Sequence, residues 1–201
     1  EEGDDELSLL EGPNDIPSDI GLFSDNFHYL RAERFGPKSS FPVSSTMVKH
    51  RKQVGTDGEY APSFLTTYGS DKLINESMAH PKAVSNQLRH HVEAWLGEIS
   101  PGTRVYTKDH SGLDLISLGF AFSSSLGETK HFRSTNVGFG ISYILPIILV
   151  LLSAKPGSLI LLENPEAHLH PHGQVKMGEL LALASENGVQ ILVETHSDHL
   201  L

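Results

Sequence analysis

The sequence predicts an α/β fold with a parallel sheet, and residues 158–200 carry most of that prediction. Residues 158–162 are a mostly apolar run after a Lys-Pro-Gly turn, which is typical of a buried strand. Residues 174–186 have apolar side chains at helical spacing and end at Asn-Gly, and residues 189–193 are a second apolar run. A strand, a helix and a strand within about forty residues form a βαβ unit, so the two strands should be parallel.

Before this unit, the sequence pattern is mixed. Residues 27–33 predict a strand that leads into a loop with Arg31 and Arg34, which either reach a phosphate or form an ordinary solvated pair. Residues 41–70 are rich in Gly, Pro, Ser and Thr and lack helical periodicity, so we predict irregular surface chain with a short strand or two.

The middle of the chain predicts a helix and then antiparallel strands. Residues 81–99 form an amphipathic pattern, with Pro81 in the first turn and Val84 and Trp95 on the buried face. The predicted strands that follow are residues 103–108, 112–123 and 129–133, the first two joined as a hairpin.

Composition narrows the range of functions. The 201 residues contain no cysteine, which excludes disulfides, thiolate metal sites and cysteine nucleophiles and agrees with a reducing, cytoplasmic location. The acidic start is unlike a signal peptide, and residues 141–152 are too few to span a bilayer, so we expect no membrane association. The net charge of −10 argues against broad nonspecific nucleic-acid binding but leaves room for a local basic patch.

We divide the chain into three parts. Residues 1–25 are acidic and punctuated by Gly and Pro, which predicts a flexible lead-in or linker. Residues 26–133 are a mixed strand and helix region, and residues 134–201 hold the βαβ unit and the apolar helix before it.

Polar residues follow both predicted strands of the βαβ unit. Glu163, Asn164 and Glu166 come after the first strand, and Glu194 and His196 end the second. Because ligands of open parallel sheets bind at the carboxyl ends of the strands, we expect these residues around one crevice.

A glycine-containing turn precedes the apolar helix of residues 141–152. Gly138 and Gly140 would allow a phosphate to approach the backbone, and the free N–H groups of a helix start attract anions. A glycine-rich turn before a buried helix is also common for structural reasons alone, so both interpretations stay open.

Residues 134–201 resemble the C-terminal half of an ABC-type ATPase head, in the branch of predicted ATPases related to the OLD (overcoming lysogenization defect) family and to SMC-like heads. The resemblance is carried by the sequence LILLENPEAHLHP from Leu159 to Pro171, similar to a Walker B strand and D-loop, and by Glu-Thr-His-Ser around His196, similar to an H-loop. It implies a parallel-sheet P-loop NTPase lobe of the ABC type, preceded by a β-hairpin and helical region.

The resemblance also implies roles for individual residues. Glu163 would act on phosphate-bound Mg²⁺, and His196 would contact the γ-phosphate of ATP or the attacking water. The acid that usually follows the Walker B acid is replaced here by Asn164, so either Glu166 takes its place or Asn164 only positions water. The segment implied to contact the γ-phosphate from a second subunit contains the following residues: Asn136, Gly138, Gly140 and Ser142.

No G-x-x-x-x-G-K-[ST] motif occurs in the sequence. We therefore expect this chain to be part of a longer ATPase, whose Walker A half is absent here and is needed for turnover. By analogy with such ATPases, we expect a homodimer that sandwiches ATP, with a nuclease or other effector partner, or DNA, as further partners in DNA maintenance or anti-phage defence.

Two other classes of function remain open. One is a metal-dependent hydrolase that uses His and Glu ligands, taken from this set: Glu166, His168, His170, His172, His196 and His199. The other is a non-catalytic module for dimerisation or regulation.

Overall fold

The computed structural model describes residues 26–110, 112–125 and 127–200, so the predicted lead-in of residues 1–25 lies outside the described residues. The described chain is α/β, as predicted, and combines a parallel sheet with an antiparallel sheet. Its α-helices are α1 (Ala61–Tyr68), α2 (Leu88–Ile99), α3 (Phe139–Ser153) and α4 (Pro171–Glu186).

The parallel sheet contains the predicted βαβ unit. Its strands are β1 (Phe27–Leu30), β7 (Leu159–Glu163) and β8 (Gln190–Glu194), in the order β1-β7-β8. Helix α4 connects β7 to β8, and Glu163 pairs with Glu194 in register. The carboxyl ends of β7 and β8 therefore lie side by side, which confirms the parallel arrangement predicted from the sequence.

Helix α3 forms the centre of the hydrophobic core. Twelve consecutive residues, from Ile141 to Leu152, are buried, because an apolar sequence without a polar face must be covered on all sides. The helix packs against α2, α4 and β1, so it connects the parallel sheet to the rest of the chain.

The antiparallel sheet is built on the hairpin of β3 (Thr103–His110) and β4 (Leu115–Ser124). The other strands that pair with β4 are short: β2 (Phe41–Pro42), β5 (Gly127–Glu128) and β6 (Phe132–Arg133). Of the third strand predicted at residues 129–133, only the last two residues form a strand, β6, and β5 lies just before the predicted range.

The prediction of irregular surface chain with a short strand or two at residues 41–70 is right about a short strand, which is β2, but wrong about the rest of the segment. This segment contains a π-helical turn (Thr46–His50) and α1, and it contributes Val48, Phe64 and Leu65 to the core. Helix α1 has only eight residues, and the buried positions of so short a helix do not stand out among Gly, Pro, Ser and Thr.

Two predicted helix starts also need correction. Helix α2 begins at Leu88 instead of at residue 81, because backbone hydrogen bonds tie residues 86–88 to residues 71–73, and Val84 is 65% exposed. Helix α4 begins at Pro171 instead of at residue 174, since proline suits a first helical turn and the His170 side chain accepts a hydrogen bond from the backbone N–H of His172.

Within the described ranges, no helix has both the length and the apolar character that crossing a membrane requires.

Candidate functional site

The carboxyl edge of the parallel sheet gathers most of the polar residues singled out in the sequence. Glu163 ends β7, Glu194 ends β8, and the loop with Arg31 and Arg34 follows β1. The loop of residues 164–170 then leads from β7 to α4, and its residues lie between the ends of the strands and the start of α3.

Glu163 is held at this edge by two hydrogen bonds from the β1 side. The Tyr29 hydroxyl donates to Oε1 at 2.6 Å, and the Ala32 N–H donates to Oε2 at 2.8 Å. These two bonds, and then the positive charges of Arg34 and Arg31, lower the pKa of the Glu163 carboxyl, while partial burial opposes the shift. Each carboxylate oxygen retains lone-pair capacity, so an ionised Glu163 suits a hard cation such as Mg²⁺.

Arg34 is a structural residue whose role the sequence did not reveal. The residue is 5% exposed, and its guanidinium donates to the backbone carbonyls of Arg31, Glu163 and Asn164 at 2.9, 2.6 and 2.8 Å. It also lies 4.2 Å from the centroid of the Tyr143 ring, and burial lowers its pKa. Arg34 is therefore neither solvated nor free to bind a phosphate, and Arg31 pairs with Asp57. Spacing in the sequence gives no sign of which carbonyls a buried arginine will bind.

Asn164 joins the ends of the two central strands through its backbone. Its N–H donates to the Glu194 carbonyl at 2.8 Å, and its φ of +44° is a left-handed conformation that asparagine tolerates better than most residues. Its side-chain Oδ1 is buried and has no hydrogen-bond partner in the described part of the chain. Turn geometry accounts for an asparagine here without any catalytic role.

Glu166 connects the loop after β7 to the loop after β8. Its Oε1 accepts a 2.9 Å hydrogen bond from the His196 N–H, while Oε2 is buried without a partner among the described residues. The His196 side chain is 82% exposed and lies 3.3 Å from Glu194. Both residues line an open cavity of about 510 Å³, so a carboxylate and an imidazole face the same space.

The two glycines at the start of α3 differ in their surroundings. A Cβ at Gly138 would meet nothing within 4 Å, whereas a Cβ at Gly140 would lie 2.7 Å from the carbonyl oxygen of His168. Gly140 thus allows α3 to pack against the loop after β7, and Gly138 leaves the helix start open to a ligand. Asn136 is exposed nearby.

Ser142 does not fit the predicted contact with a nucleotide. It is 4% exposed, and its hydroxyl is buried with no partner among the residues described. The first turn of α3 points Ser142 into the core, so its side chain is not available to a ligand held by a second subunit. The prediction that Ser142 contacts the γ-phosphate is therefore wrong.

Aromatic rings connect α3 to the loop after β7. The His168 ring centroid lies 4.6 Å from that of Phe139 and 4.9 Å from that of Tyr143. The Tyr143 hydroxyl donates a very short hydrogen bond to the Ala32 carbonyl. The helix start, the loop after β1 and the loop after β7 therefore form one packed unit.

The histidines of this region do not form a metal centre. Within residues 26–110, 112–125 and 127–200, no group of three or more His, Asp or Glu side chains is arranged to hold a metal ion. His168 packs on Phe139, His170 caps α4 and His196 lies beside Glu194. The hypothesis of a metal-dependent hydrolase required several of these side chains to converge on one point, and the described residues do not support it.

Comparison with protein families gives a match over most of the chain. The family described as "AAA domain, putative AbiEii toxin, Type IV TA system" matches residues 70–201, nearly two thirds of the chain. The matched region contains the whole segment from α2 to the loop after β8, but not β1 or Arg34. A comparison with curated proteins gives no match.

The similar solved structures include two Smc heads. A crystal structure of the SmcHead bound to the C-winged helix domain of ScpA has 14% sequence identity and a TM-score of 0.45, with 78% of this chain and 40% of that chain covered. An Smc head domain with an extended coiled coil, bound to the C-terminal domain of ScpA from Pyrococcus furiosus, has 14% identity and a TM-score of 0.39, with 56% and 29% covered. The chain thus spans less than half the length of either Smc chain.

Proposed function

This chain belongs to that family of AAA domains, and from this premise we propose that it supplies the Walker B and H-loop half of an ATP-hydrolysing site. The observation that carries the proposal is the arrangement at the carboxyl edge of the sheet. The carboxylate of Glu163, with its lowered pKa, ends β7, and Glu166 and His196 line a cavity from the loops that follow β7 and β8. An ionised acid can hold Mg²⁺, and a second acid or an imidazole can orient or deprotonate the attacking water in nucleotide hydrolysis.

In this proposal, Glu163 would hold Mg²⁺, and the bound ion would neutralise negative charge on the phosphates of ATP. Glu166 accepts the proton of the attacking water, because its side chain lines the cavity with His196, whereas the amide of Asn164 cannot accept a proton. His196 contacts the γ-phosphate or the water from the exposed side of the cavity.

We further propose that ATP joins two copies of the protein. Asn136 and the open backbone at Gly138 contact the γ-phosphate held by the partner, supported by the helix dipole of α3. Hydrolysis then reopens the dimer, so ATP acts as a clamp. A Walker A segment outside these residues completes each site, and membership of the OLD-like branch belongs to the same proposal.

The biological setting in this proposal is a cytoplasmic role in DNA maintenance or anti-phage defence, with a nuclease or other effector as partner. The family description, which names a toxin of a Type IV TA system, supports a defence role. The net charge of −10 makes a protein effector a better partner for these residues than extended contact with DNA.

The test is ATP hydrolysis by the longest natural protein that contains these residues. We expect Glu163→Gln and His196→Ala to lower kcat at least 100-fold, and Glu166→Gln to do the same while ATP still binds. Glu166→Gln retains an oxygen that can accept the His196 N–H, so a loss of turnover reports on the proton acceptor and not on the loop.

The matched control is Glu186→Gln, at the exposed end of α4, which should hydrolyse ATP like the wild type. Equal hydrolysis by all the variants would disprove the assignment of the site. If ATP and Mg²⁺ fail to bind and dimerisation is independent of both, the chain is an interaction module.

A further inference from the structure

A second cavity lies at the amino end of the parallel strands, whereas Glu163 lies at their carboxyl end. Its volume is about 320 Å³, and its walls include His28 on β1, Ser158 just before β7 and the last turn of α3. Because α3 has 15 residues at 1.5 Å each, about 22 Å separate this cavity from the start of the helix. It is therefore distinct from the site described above.

The floor of this cavity is apolar, and two buried polar atoms beside it lack a hydrogen-bond partner among the described residues. Phe64, Leu88 and Leu152 are buried core residues that line it. His28 is 93% buried, since 7% of its surface is exposed, and neither its Nδ1 nor the Ser153 hydroxyl has a hydrogen-bond partner in the described chain. A buried polar atom without a partner is unfavourable, and a ligand that bonds to it would remove that cost.

The charges around the cavity are mainly positive. Lys52, Lys72 and Lys155 line it, and Asp71 is the acidic residue among its lining side chains. None of the three lysines forms an ion pair within the residues that the structure describes, although the protein as a whole carries a charge of −10. The remaining titratable side chains of the lining are Tyr68, His50 and His28. Burial lowers the pKa of His28 to about 4, so its ring is neutral at pH 7.

Positive charge beside a low-dielectric wall attracts anions more strongly than the same charge on an open surface. A pocket with an apolar floor and a few convergent polar groups is also the usual form of a small-molecule site. We propose that this cavity binds a small organic anion, whose charged group contacts Lys52, Lys72 and Lys155 and whose apolar body lies on Phe64, Leu88 and Leu152. A hydrogen-bonding atom of the same ligand reaches His28.

The test uses 8-anilinonaphthalene-1-sulfonate, an apolar fluorophore with one negative charge, titrated into the complete chain. We expect saturable binding with a stoichiometry of one, which the Lys72→Ala/Lys155→Ala double variant weakens at least tenfold. Both lysines are exposed, so the substitutions should not disturb folding, and circular dichroism checks this. The uncharged analogue N-phenyl-1-naphthylamine should bind the wild type and the Lys72→Ala/Lys155→Ala variant with the same affinity, because it has no charge for the lysines to attract.

The matched control is Lys108→Ala/Lys130→Ala, which removes the same charge from exposed positions outside the cavity and should bind the sulfonate like the wild type. Equal weakening in both double variants would show an effect of net charge alone and would overturn the proposal. Binding that survives loss of Lys72 and Lys155 but disappears in Leu192→Ser would place the probe on the exposed face of β8, and this too would overturn it.

Discussion

The hydroxyl of Tyr29 donates a 2.6 Å hydrogen bond to the carboxylate of Glu163, although 134 positions separate the two residues in sequence. The parallel register of β1 and β7 places Tyr29 opposite Leu161, two residues before Glu163, so the bond crosses diagonally between neighbouring strands. It lowers the pKa of Glu163 and raises that of Tyr29. A strand that precedes the matched family region thus lowers the pKa of an acid within that region.

Replacing Tyr29 by Phe should raise the pKa of Glu163 toward its ordinary value, because the variant loses the strongest of the bonds to the ionised form. The measurement is the ¹³C chemical shift of the Glu163 carboxyl against pH. Since the folded pKa is the lower one, Glu163 stabilises the fold above its ordinary pKa, and this contribution disappears as pH falls through the folded pKa.

Tyr106→Phe provides the control for Tyr29→Phe, since it removes an equivalent hydrogen bond from a tyrosine to Glu128 on the antiparallel sheet. The pKa of Glu163 should be unchanged in that variant. A Glu163 pKa that is the same in Tyr29→Phe as in the wild type would mean that the Ala32 N–H and the arginines account for the shift.

Arg34→Ala should destabilise the protein by about 3 kcal/mol, because it leaves three backbone carbonyls without their charged donor in a buried place. Arg34→Lys should recover only part of this loss, since one ammonium group cannot reproduce the planar arrangement of donors or the stacking on Tyr143. The measurement is the free energy of unfolding in urea. Arg51→Ala, at an exposed arginine, should change it by less than about 0.5 kcal/mol.

The sequence predicted the parts of the fold that depend on long apolar patterns. The strands β7 and β8, the buried helix α3 and the parallel pairing follow from periodicity and from the handedness of βαβ units. Helix α1 was missed, and α2 was predicted to start too early, because backbone pairing between residues 71–73 and 86–88 is a tertiary contact that propensity does not contain.

The sequence predicted only those site residues that directly follow or end a strand of the parallel sheet. Glu163, Glu166 and His196 lie at the edge that the topology requires. Arg34 and Tyr29 contact Glu163 of β7, which is more than 120 residues away in the sequence. A local sequence pattern cannot predict such contacts. Ser142 follows the glycines in the sequence, but the phase of the helix turns it inward.

His28 should make stability depend on pH between about 4 and 6.5. Because burial lowers its folded pKa to about 4, the unfolded chain binds a proton first as pH falls, so stability is lost below the unfolded pKa of 6.5. We expect the free energy of unfolding to fall by about 2 kcal/mol more in the wild type than in His28→Gln between pH 7.5 and pH 5. His80 and His91, whose pKa values burial also lowers, titrate in both proteins and cancel in this difference.

Urea unfolding at the two pH values measures the His28 effect, with His131→Gln, at an exposed histidine, as the control. The same dependence on pH in His28→Gln and in the wild type would show that the His28 ring is solvated when the chain is folded.

The two glycines before and within the first turn of α3 should respond differently to alanine. At Gly140 the added methyl group would lie 2.7 Å from the His168 carbonyl, so α3 and the loop after β7 must separate, at a cost of about 2 kcal/mol. At Gly138 the methyl group would meet nothing within 4 Å, and φ is −56°, so the change should cost only about 0.5 kcal/mol through a weaker N-cap. Thermal unfolding of both variants measures the difference.

The same pair separates structure from ligand binding at the start of α3. If the open backbone at Gly138 contacts a nucleotide held by a second subunit, Gly138→Ala should weaken dimerisation that depends on ATP while leaving stability almost unchanged. Gly140→Ala should lower both, because displacement of the loop after β7 also moves Glu166 and its bond to the His196 N–H. Dimerisation of Gly138→Ala at the wild-type ATP concentration would leave Gly138 without a role in binding, and the start of α3 would then serve only to pack against His168.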